Sequence, residues 1–334
     1  MTRKDSHERE EMSTKSDWRV ITLSASPAVD KTYLLESLEI GEVNRAKRVQ
    51  SEIAGKAINV TKALALAGIP SKSVIPLSPD DALMYSDELV VGHTVERPIR
   101  VNITILEQEG HTTKINENVK PMPEDEWQAL ADRAIDLAVM SRADWILIAG
   151  SVPENENGRP LDLEPTFEKA QQNGLLVALD TSGAALKEAI RTGIPDLIKP
   201  NVEELSDVLG YPLTTLGEIL DAATEINRTG ISNTLVSLGQ DGIVGVGPSG
   251  IPMHAYSSRV VARNSIGAGD ASIAGFLSKL VKEPRDFESA LGQAASWGAI
   301  KVQQLGSQLE HFDSPPKVDV SSSPDKAKLL SKRA

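Results

Sequence analysis

Cysteine is absent from this chain of 334 residues, and positive charge is in the minority. Without cysteine the protein forms no disulfides and has no thiolate nucleophile or cysteine-based zinc or iron–sulfur site. Lysine and arginine together number 35, against 47 aspartates and glutamates, which leaves a formal net charge of -12. Because nucleic acids are bound by clustered lysine and arginine, we expect no nucleic-acid partner. An anionic small substrate would need a local basic pocket.

Long apolar runs are also missing from the sequence. The run from Trp145 to Ala149 is typical, and it is far shorter than the ~20 residues that cross a bilayer. The N-terminal segment has no apolar stretch of the kind found in signal peptides, so we expect no membrane contact and a cytoplasmic location. Residues 1–18 and 313–334 are predicted to be disordered tails because they are rich in polar and charged side chains. One folded domain is predicted between them, over residues 19–312.

Within this domain, short apolar runs alternate with stretches of helical character. The apolar runs begin at Val20, Trp145, Leu175, Asp196 and Thr234. Helical character is clearest over residues 124–140 and 216–228. The alternation predicts an α/β fold in which helices cover both faces of a mostly parallel sheet. Small and polar residues follow the runs at the predicted carboxyl ends of the strands, where ligands of such sheets bind.

Two segments, residues 31–53 and 95–115, have no helical period. Part of the second segment, residues 101–105, alternates between apolar and polar side chains. The two segments therefore predict a small β-layer near the front of the domain. Such a layer could be a lid that excludes water from a reacting phosphate. Extra strands at the edge of the main sheet are the alternative, and the sequence favours neither.

The segment 264–270, which reads NSIGAGD, carries the strongest local signal. Apolar residues at helical spacing follow it, so a helix with one buried face is predicted to begin close to Asp270. Gly267 and Gly269 allow a tight turn there, and the helix dipole favours an anion such as a transferring phosphoryl group. Asp270 would repel that group unless it takes a proton from the attacking hydroxyl. The alternative is that Asp270 is only a helix N-cap.

The segment 264–276, NSIGAGDASIAGF, resembles the C-terminal signature of PfkB-family sugar kinases. Other stretches resemble the same family in the same order, between Val20 and Gln308. These stretches read TLSASPAVDKT, GEVNRAKRV, AGKAINV, RVN, AGSVP, DTSG, KPNVEEL and SLGQDG. The first three are typical of the branch that contains 1-phosphofructokinases and tagatose-6-phosphate kinases. The resemblance implies a ribokinase-like three-layer α/β/α domain with a mostly parallel central sheet and a small β-sheet lid.

The resemblance also implies roles for individual residues. Asp270 is the implied catalytic base, and the amides of Gly267, Ala268 and Gly269 are the implied anion hole for the γ-phosphoryl group. The implied contacts to nucleotide and metal are Asn201, Glu204, Ser237, Gly239, Gly242 and Asn264. The implied contacts to the sugar phosphate are Asp30, Gly55, Lys56, Asn59, Arg100 and Asn102, with Arg45 as a further match. Asn201 and Glu204 would organise Mg²⁺ through water.

Some positions depart from the family pattern. Ala54 and Ala57 stand where the family usually has glycine, and Ser26 stands where asparagine is common. A methyl group at position 57 lies where the backbone approaches the sugar, and it would be strained if the position needs a positive φ. These departures concern the sugar loops and not the phosphoryl-transfer residues, so they bear on substrate identity.

The activity implied by the resemblance is phosphoryl transfer from ATP, with Mg²⁺, to a ketose phosphate. Fructose 1-phosphate would be converted to fructose 1,6-bisphosphate. A tagatose-6-phosphate kinase or another PfkB sugar kinase is the alternative within the family, and a non-catalytic sugar-phosphate-binding regulator is the alternative of another class. A nucleotide-dependent dehydrogenase is disfavoured because no glycine-rich fingerprint follows the first strand. The resemblance also implies a homodimer formed through the lid.

Overall fold

The computed structural model describes residues 17–108 and 110–331, and its strands and helices alternate along the chain. The strands are β1 (Val20–Leu23), β2 (Ala28–Leu35), β3 (Arg48–Ala54), β4 (Ser71–Leu77), β5 (Val90–Thr94), β6 (Arg100–Glu107), β7 (Thr112–Asn116), β8 (Trp145–Ala149), β9 (Leu176–Asp180), β10 (Leu197–Ile198), β11 (Asn233–Ser237), β12 (Ile243–Val246), β13 (Pro252–Ser257) and β14 (Val318–Ser321). The helices are α1 (Lys56–Leu66), α2 (Pro79–Met84), α3 (Glu124–Ser141), α4 (Glu164–Gln172), α5 (Gly183–Thr192), α6 (Val202–Leu209), α7 (Leu216–Arg228), α8 (Ala268–Leu280) and α9 (Phe287–Lys301). The tail predicted at residues 1–18 lies outside the described residues, apart from Asp17 and Trp18.

Ten strands form the main sheet, in the order β14-β13-β12-β11-β10-β9-β8-β1-β4-β5. Neighbouring strands from β5 to β11 are parallel. The strands β12, β13 and β14 are added antiparallel at one edge. Parallel neighbours need crossover connections, which bring the intervening helices onto the faces of the sheet. The prediction of a mostly parallel α/β sheet is confirmed.

Helices cover both faces of this sheet because its central strands are apolar on both sides. Successive side chains of a strand point to opposite faces, so Ile146 of β8 belongs to one buried cluster and Leu147 to the other. The first cluster includes Leu130 of α3, and the second includes Phe276 of α8. The sheet is therefore the middle layer of three, as the resemblance implied.

The helix after the glycine-rich segment is α8, and its buried face is the one that the apolar spacing predicted. Ile273, Phe276 and Leu277 are fully buried. The helix α9 packs beside α8, and its Trp297 belongs to the same apolar cluster. The helices predicted at residues 124–140 and 216–228 are α3 and α7. Over the described ranges 17–108 and 110–331, no helix is long and apolar enough to cross a membrane.

A separate four-stranded sheet, which we call the lid sheet, has the order β3-β2-β6-β7. It falls largely within the two segments that lack a helical period. Strands β2 and β6 are parallel in its centre, with Asp30 opposite Asn102, and β3 and β7 pair antiparallel at its edges. The prediction that these segments form a distinct small sheet is therefore confirmed, and the alternative of extra strands on the main sheet is wrong.

The C-terminal segment is ordered from residue 313 to residue 331, contrary to the prediction of a disordered tail at residues 313–334. Strand β14 pairs antiparallel with β13, with Asp319 opposite Tyr256. Val318 and Val320 pack against the same apolar cluster as α8. Composition misled the prediction because two alternating valines suffice to form a strand when an open sheet edge lies beside them.

Candidate active site

Asp270 lies in the first turn of α8, directly after the glycine-rich turn. The N-cap position of this helix is Gly267, with φ +79°, and no side chain of the described residues caps it. A side chain at Gly267 would collide with the carbonyl oxygen of Ser307, so the tight turn requires glycine for both reasons. The first amides of α8 have no partner within the helix, although the Ala268 amide donates to the Ser265 carbonyl oxygen at 3.2 Å. A helix start of this kind favours the binding of an anion. Asp270 itself is not the N-cap, so that alternative is wrong.

The Asp270 carboxylate is buried and accepts a hydrogen bond from a second helix. The Asn59 amide nitrogen on α1 donates to Asp270 Oδ2 at 2.8 Å. Burial raises the pKa of Asp270, and the nearby negative charge of Asp180 adds to this. The Asn59 hydrogen bond and the ammonium groups of Lys56 and Lys199 act in the opposite direction, but the pKa remains above its usual value. A carboxylate with a raised pKa is suited to accept a proton near neutral pH.

Two lysines bind a buried aspartate beside this carboxylate. Asp180, at the end of β9, lies 3.1 Å from Lys56 Nζ and 3.2 Å from Lys199 Nζ. Burial alone would raise the pKa of Asp180, but Lys199 and Lys56 together lower it. The pKa of Lys56 is raised, chiefly by Asp180 and against the effect of burial, with smaller contributions from Asp270 and Glu204. The contacts therefore favour the charged forms of Asp180 and Lys56.

Lys199 was not predicted as a site residue, and neither was Asp180. A methyl group at position 269 would lie 3.2 Å from Lys199 Nζ, so the ammonium group rests against the glycine-rich turn. Lys199 is almost fully buried and adds positive charge to the predicted anion hole. Both residues lie at the polar ends of apolar runs, where the sequence pattern predicted that ligands bind. Only the neighbouring positions of β9 and β10 in the sheet bring them together.

Asn201 and Glu204 form a capping box at the start of α6. Asn201 Oδ1 accepts from the Glu204 amide at 2.9 Å, and Glu204 Oε2 accepts from the Asn201 amide at 2.8 Å. The pair therefore has a structural role, and its predicted contact with Mg²⁺ stays a prediction. Within the described ranges there is no cluster of three or more His, Asp and Glu side chains that would hold a metal. A single carboxylate is nevertheless compatible with Mg²⁺, which keeps several waters and takes few protein ligands.

The turn after β11 carries the predicted nucleotide contacts Ser237, Gly239 and Gly242. The Ser237 hydroxyl is buried and has no hydrogen-bond partner among the residues that the structure describes, so it is available to a ligand. Gly239 and Gly242 have φ of +64° and +95°. A side chain at Gly242 would collide with the carbonyl oxygen of Ala255 on β13. Packing therefore explains Gly242 without a nucleotide contact.

Asn264 shapes the loop that leads into the glycine-rich turn. Its amide nitrogen donates to the carbonyl oxygens of Leu305 and Gly306, and its own Oδ1 accepts from the Ile266 amide. The Asn264 carbonyl oxygen accepts a hydrogen bond of 3.0 Å from Lys301 Nζ. Lys301 is fully buried at the end of α9, and no local sequence pattern predicts a role for it.

The predicted sugar contacts lie at the base of the lid sheet and the start of α1. Asn102 donates to Asp30 Oδ1 at 3.0 Å across the β2–β6 pair. Arg100 Nη1 donates to the Glu117 carbonyl oxygen at 3.3 Å, and its Nε is buried with no partner in the described part of the chain. Lys56 instead bonds Asp180. The two predicted phosphate-binding cations therefore have separate partners.

Four other residues lie in or beside the loops around the sugar contacts. Gly55 is the N-cap of α1 with φ +140°, a conformation that favours glycine. Ala57 is helical and fully buried and is not among the non-glycine residues with positive φ, so backbone strain at this position is not found. Ser26 is nearly buried. Arg45 is exposed in the loop between β2 and β3.

Comparison with known proteins agrees with this geometry. The sequence matches the model of the pfkB family carbohydrate kinases over residues 26–312. The protein is a kinase that acts on carbohydrate. It belongs to the pfkB family.

Several curated relatives are named 1-phosphofructokinase. The one from Haemophilus influenzae is 29% identical over 297 residues, which are 86% of this chain and 92% of the relative. The one from Borreliella burgdorferi is 28% identical over 268 residues, covering 77% and 83% of the two chains. Among solved structures, phosphofructokinase-2 from Escherichia coli in complex with potassium superposes with a TM-score of 0.79 at 25% identity, covering 88% of this chain and 96% of that one.

Proposed function

We propose that this protein transfers the γ-phosphoryl group of ATP to a hydroxyl of a ketose phosphate, converting fructose 1-phosphate to fructose 1,6-bisphosphate. The observation that carries the proposal is the position of Asp270. Its buried carboxylate, with a raised pKa, lies in the first turn of a helix whose start has no side-chain cap. A proton acceptor is thereby placed next to a site for the anionic group that the hydroxyl attacks. The names of the curated relatives support the choice of sugar.

In the proposed reaction, the substrate hydroxyl loses its proton to Asp270 as its oxygen bonds to the γ-phosphorus. The bond from that phosphorus to the β,γ-bridging oxygen breaks, and ADP leaves. The amides of Gly267 and Gly269 and the Lys199 ammonium group stabilise the negative charge on the transferring group, whereas the Ala268 amide donates to the Ser265 carbonyl oxygen. Asn59 orients the Asp270 carboxylate. Mg²⁺, when bound near Glu204, would neutralise phosphate charge.

The acceptor would lie between Asp30 and Asn102 on one side and α1 on the other. Asp30 can accept hydrogen bonds from sugar hydroxyls, and Arg100 can bind the phosphate that the sugar already carries, as a bidentate donor. The buried Nε of Arg100 without a partner within the described segments supports this role. A sugar phosphate would supply the missing acceptor.

A panel of acceptors tests the proposal. ADP release is measured with fructose 1-phosphate, fructose 6-phosphate, tagatose 6-phosphate, fructose and ribose, each with ATP and Mg²⁺. We expect the highest kcat/KM with fructose 1-phosphate. A clear preference for tagatose 6-phosphate would instead support the alternative activity, that of a tagatose-6-phosphate kinase. No turnover of any sugar, together with measurable binding of sugar phosphate, would support the regulator and contradict the proposal.

Arg100→Ala tests the proposed phosphate subsite, because a phosphorylated and a non-phosphorylated sugar are compared on the same variant. Loss of a charge-assisted hydrogen bond costs roughly 1.5–3 kcal/mol, so kcat/KM for fructose 1-phosphate should fall about 10- to 150-fold. Turnover of fructose, which has no phosphate, should change little. Arg48→Ala removes an exposed lid cation and should leave both substrates unaffected. Equal losses on both sugars in the Arg100 variant would mean that Arg100 only supports the lid sheet.

The lid sheet supports a homodimer as the proposed assembly. One face of the lid sheet carries apolar side chains that are cross-strand neighbours. The pairs are Tyr33 with Val49, Tyr33 with Ile105, and Ile103 with Ile115. Asp30 and Asn102 lie on the other face, because strand residues alternate. Val49 and Ile115 are more than half exposed. An apolar sheet face of this kind is stabilised by a second copy of the same surface.

A further inference from the structure

Residues 322–331, which we call the C-terminal strap, return from β14 to the start of α7. The Leu216 amide donates to the Lys328 carbonyl oxygen at 2.9 Å, and the Gly217 amide donates to the Lys326 carbonyl oxygen at 3.0 Å. A methyl group at position 217 would lie only 2.8 Å from that Lys326 oxygen. The sequence of α7 therefore leaves room for the strap. The strap lies beyond residue 312, where the family match ends.

The far end of the strap is anchored to Asp241. The Ser331 amide donates to Asp241 Oδ2 at 2.7 Å, and the Ser331 hydroxyl donates to Oδ1 at 3.2 Å. Lys328 Nζ lies 3.0 Å from the same Oδ1. Asp241 is buried, so these contacts satisfy a carboxylate that would otherwise be costly to bury. Hydrogen bonds from two strap residues thus converge on one side chain.

Asp241 belongs to the turn between Ser237 and Gly242, which also carries the predicted nucleotide contacts. The Leu238 amide donates to the Gly242 carbonyl oxygen at 2.8 Å and closes this turn. His254 Nε2 on β13 lies 2.6 Å from the Asp241 carbonyl oxygen. The turn is therefore held from β13 through its backbone and from the strap through its side chain.

We propose that the C-terminal strap is a positioning element of the nucleotide site, acting through Asp241 on the turn from Ser237 to Gly242. This inference rests on the proposed function, which places ATP against that turn. Within the described residues, the strap makes no hydrogen bond to Asp30, Arg100 or Asn102. Loss of its contacts should therefore weaken nucleotide binding and leave the sugar-phosphate site unchanged.

Three variants of the full chain test the strap. Asp241→Asn removes the charge that Lys328 and Ser331 bind, and Lys328→Gln removes the matching cation. Lys326→Gln is the control. This substitution removes the same charge from the same strap, but Lys326 pairs with the exposed Asp221 and not with Asp241. For each variant, binding of ADP and of ATP is measured by direct titration, and KM is measured separately for ATP and for fructose 1-phosphate.

In Lys328→Gln we expect KM and Kd for ATP to rise roughly 2- to 5-fold, because a half-exposed ion pair is lost. In Asp241→Asn we expect both to rise about 10-fold, because a buried charged hydrogen-bond acceptor is lost. KM for fructose 1-phosphate and the values for Lys326→Gln should stay at the wild-type level. The double variant of 241 and 328 should be no worse than Asp241→Asn alone, since both changes remove one interaction.

Unchanged nucleotide affinity in Lys328→Gln and Asp241→Asn would overturn the inference. Equal losses for ATP and sugar phosphate would also overturn it, because they would indicate a general structural defect. Lys328 is partly exposed, so its variant keeps the test valid if Asp241→Asn fails to fold. The direct titration separates this inference from the proposed function: a misassigned sugar would abolish turnover with fructose 1-phosphate but would not change the comparison of nucleotide affinities.

Discussion

Opposing influences set the proton affinity of Asp270, the residue on which the proposed chemistry depends. Burial and Asp180 raise its pKa, whereas Asn59, Lys56 and Lys199 lower it. A group with too low a pKa would be a weak base, and one with too high a pKa would be protonated at neutral pH. The lysines also neutralise Asp180, which keeps the site from becoming too negative for an incoming phosphate.

Asp270→Asn keeps the size of the side chain and removes its ability to take a proton. We expect kcat to fall roughly 10²- to 10⁴-fold while ATP affinity changes little, since a positioned general base has about this effect. Steady-state kinetics and nucleotide titration measure the two quantities. The control is Asp286→Asn, which removes a carboxylate that caps α9. Turnover of Asp270→Asn within a factor of about two of the wild type would exclude Asp270 as the base.

Lys301 is a buried cation next to the glycine-rich turn. Burial lowers its pKa to about 8, although the nearby carboxylates of Glu310 and Asp270 favour the charged form and Lys114 opposes it. Its ammonium group holds the Asn264 carbonyl oxygen and adds positive potential near Gly267. As pH rises through about 8, this charge is lost in the folded protein.

The pH dependence of Lys301 should have opposite signs for activity and stability. We expect kcat/KM for ATP to fall as pH rises through about 8 in the wild type. Lys301→Met should be less active and lack that decline. Between about 8 and the ordinary value of 10.5 the unfolded chain binds more protons, so the free energy of unfolding of the wild type should rise relative to the variant. Parallel pH profiles in both proteins would contradict the assignment.

At the scale of elements, helix starts serve both structure and chemistry in this fold. The helices α6 and α7 begin with the same capping box, Asn201 with Glu204 and Thr215 with Glu218. The two boxes stabilise their helices in the same way. Only the first one lies at the carboxyl end of a central strand, close enough to influence the pKa of Lys56. We therefore propose the carboxylate of Glu204, and not that of Glu218, as the one near a metal-bound nucleotide.

Glu204→Gln and Glu218→Gln separate capping from metal binding. Glutamine at this position retains a capping box, so both variants should unfold at nearly the wild-type temperature. Glu204→Gln should raise the Mg²⁺ concentration needed for half-maximal activity roughly 10-fold, as for loss of an outer-shell metal partner. Glu218→Gln should leave it unchanged. Identical Mg²⁺ dependence in the two variants would reduce Glu204 to a helix cap.

At the scale of the whole molecule, the proposed homodimer depends on the apolar face of the lid sheet. Ile115→Lys places a charge on that face, whereas Thr112→Lys places the same charge on the same strand but on the opposite face. We expect light scattering to show a dimer for the wild type and for Thr112→Lys, and a monomer for Ile115→Lys. A wild-type monomer at micromolar concentration would contradict the proposal.

Local patterns in the sequence determined much of the fold. The helical spacing after residue 270 predicted α8 and its buried face, and the polar endings of the apolar runs lie where Asp180 and Lys199 meet. That ligands bind there stays a prediction. These features depend on residues that are near each other in the chain, so periodicity and composition report them. The roles of Asp270 and of the predicted sugar contacts came from the family resemblance, and they remain proposals.

Only the tertiary structure decided how distant segments meet. Asp180 and Lys199 form one buried cluster because β9 and β10 are neighbours in the sheet, and Lys301 reaches the glycine-rich loop from the end of another helix. The C-terminal strand was missed because its order comes from pairing with β13, which lies about 60 residues earlier in the chain. Such contacts are stabilised by the folded surroundings and leave no period in the sequence.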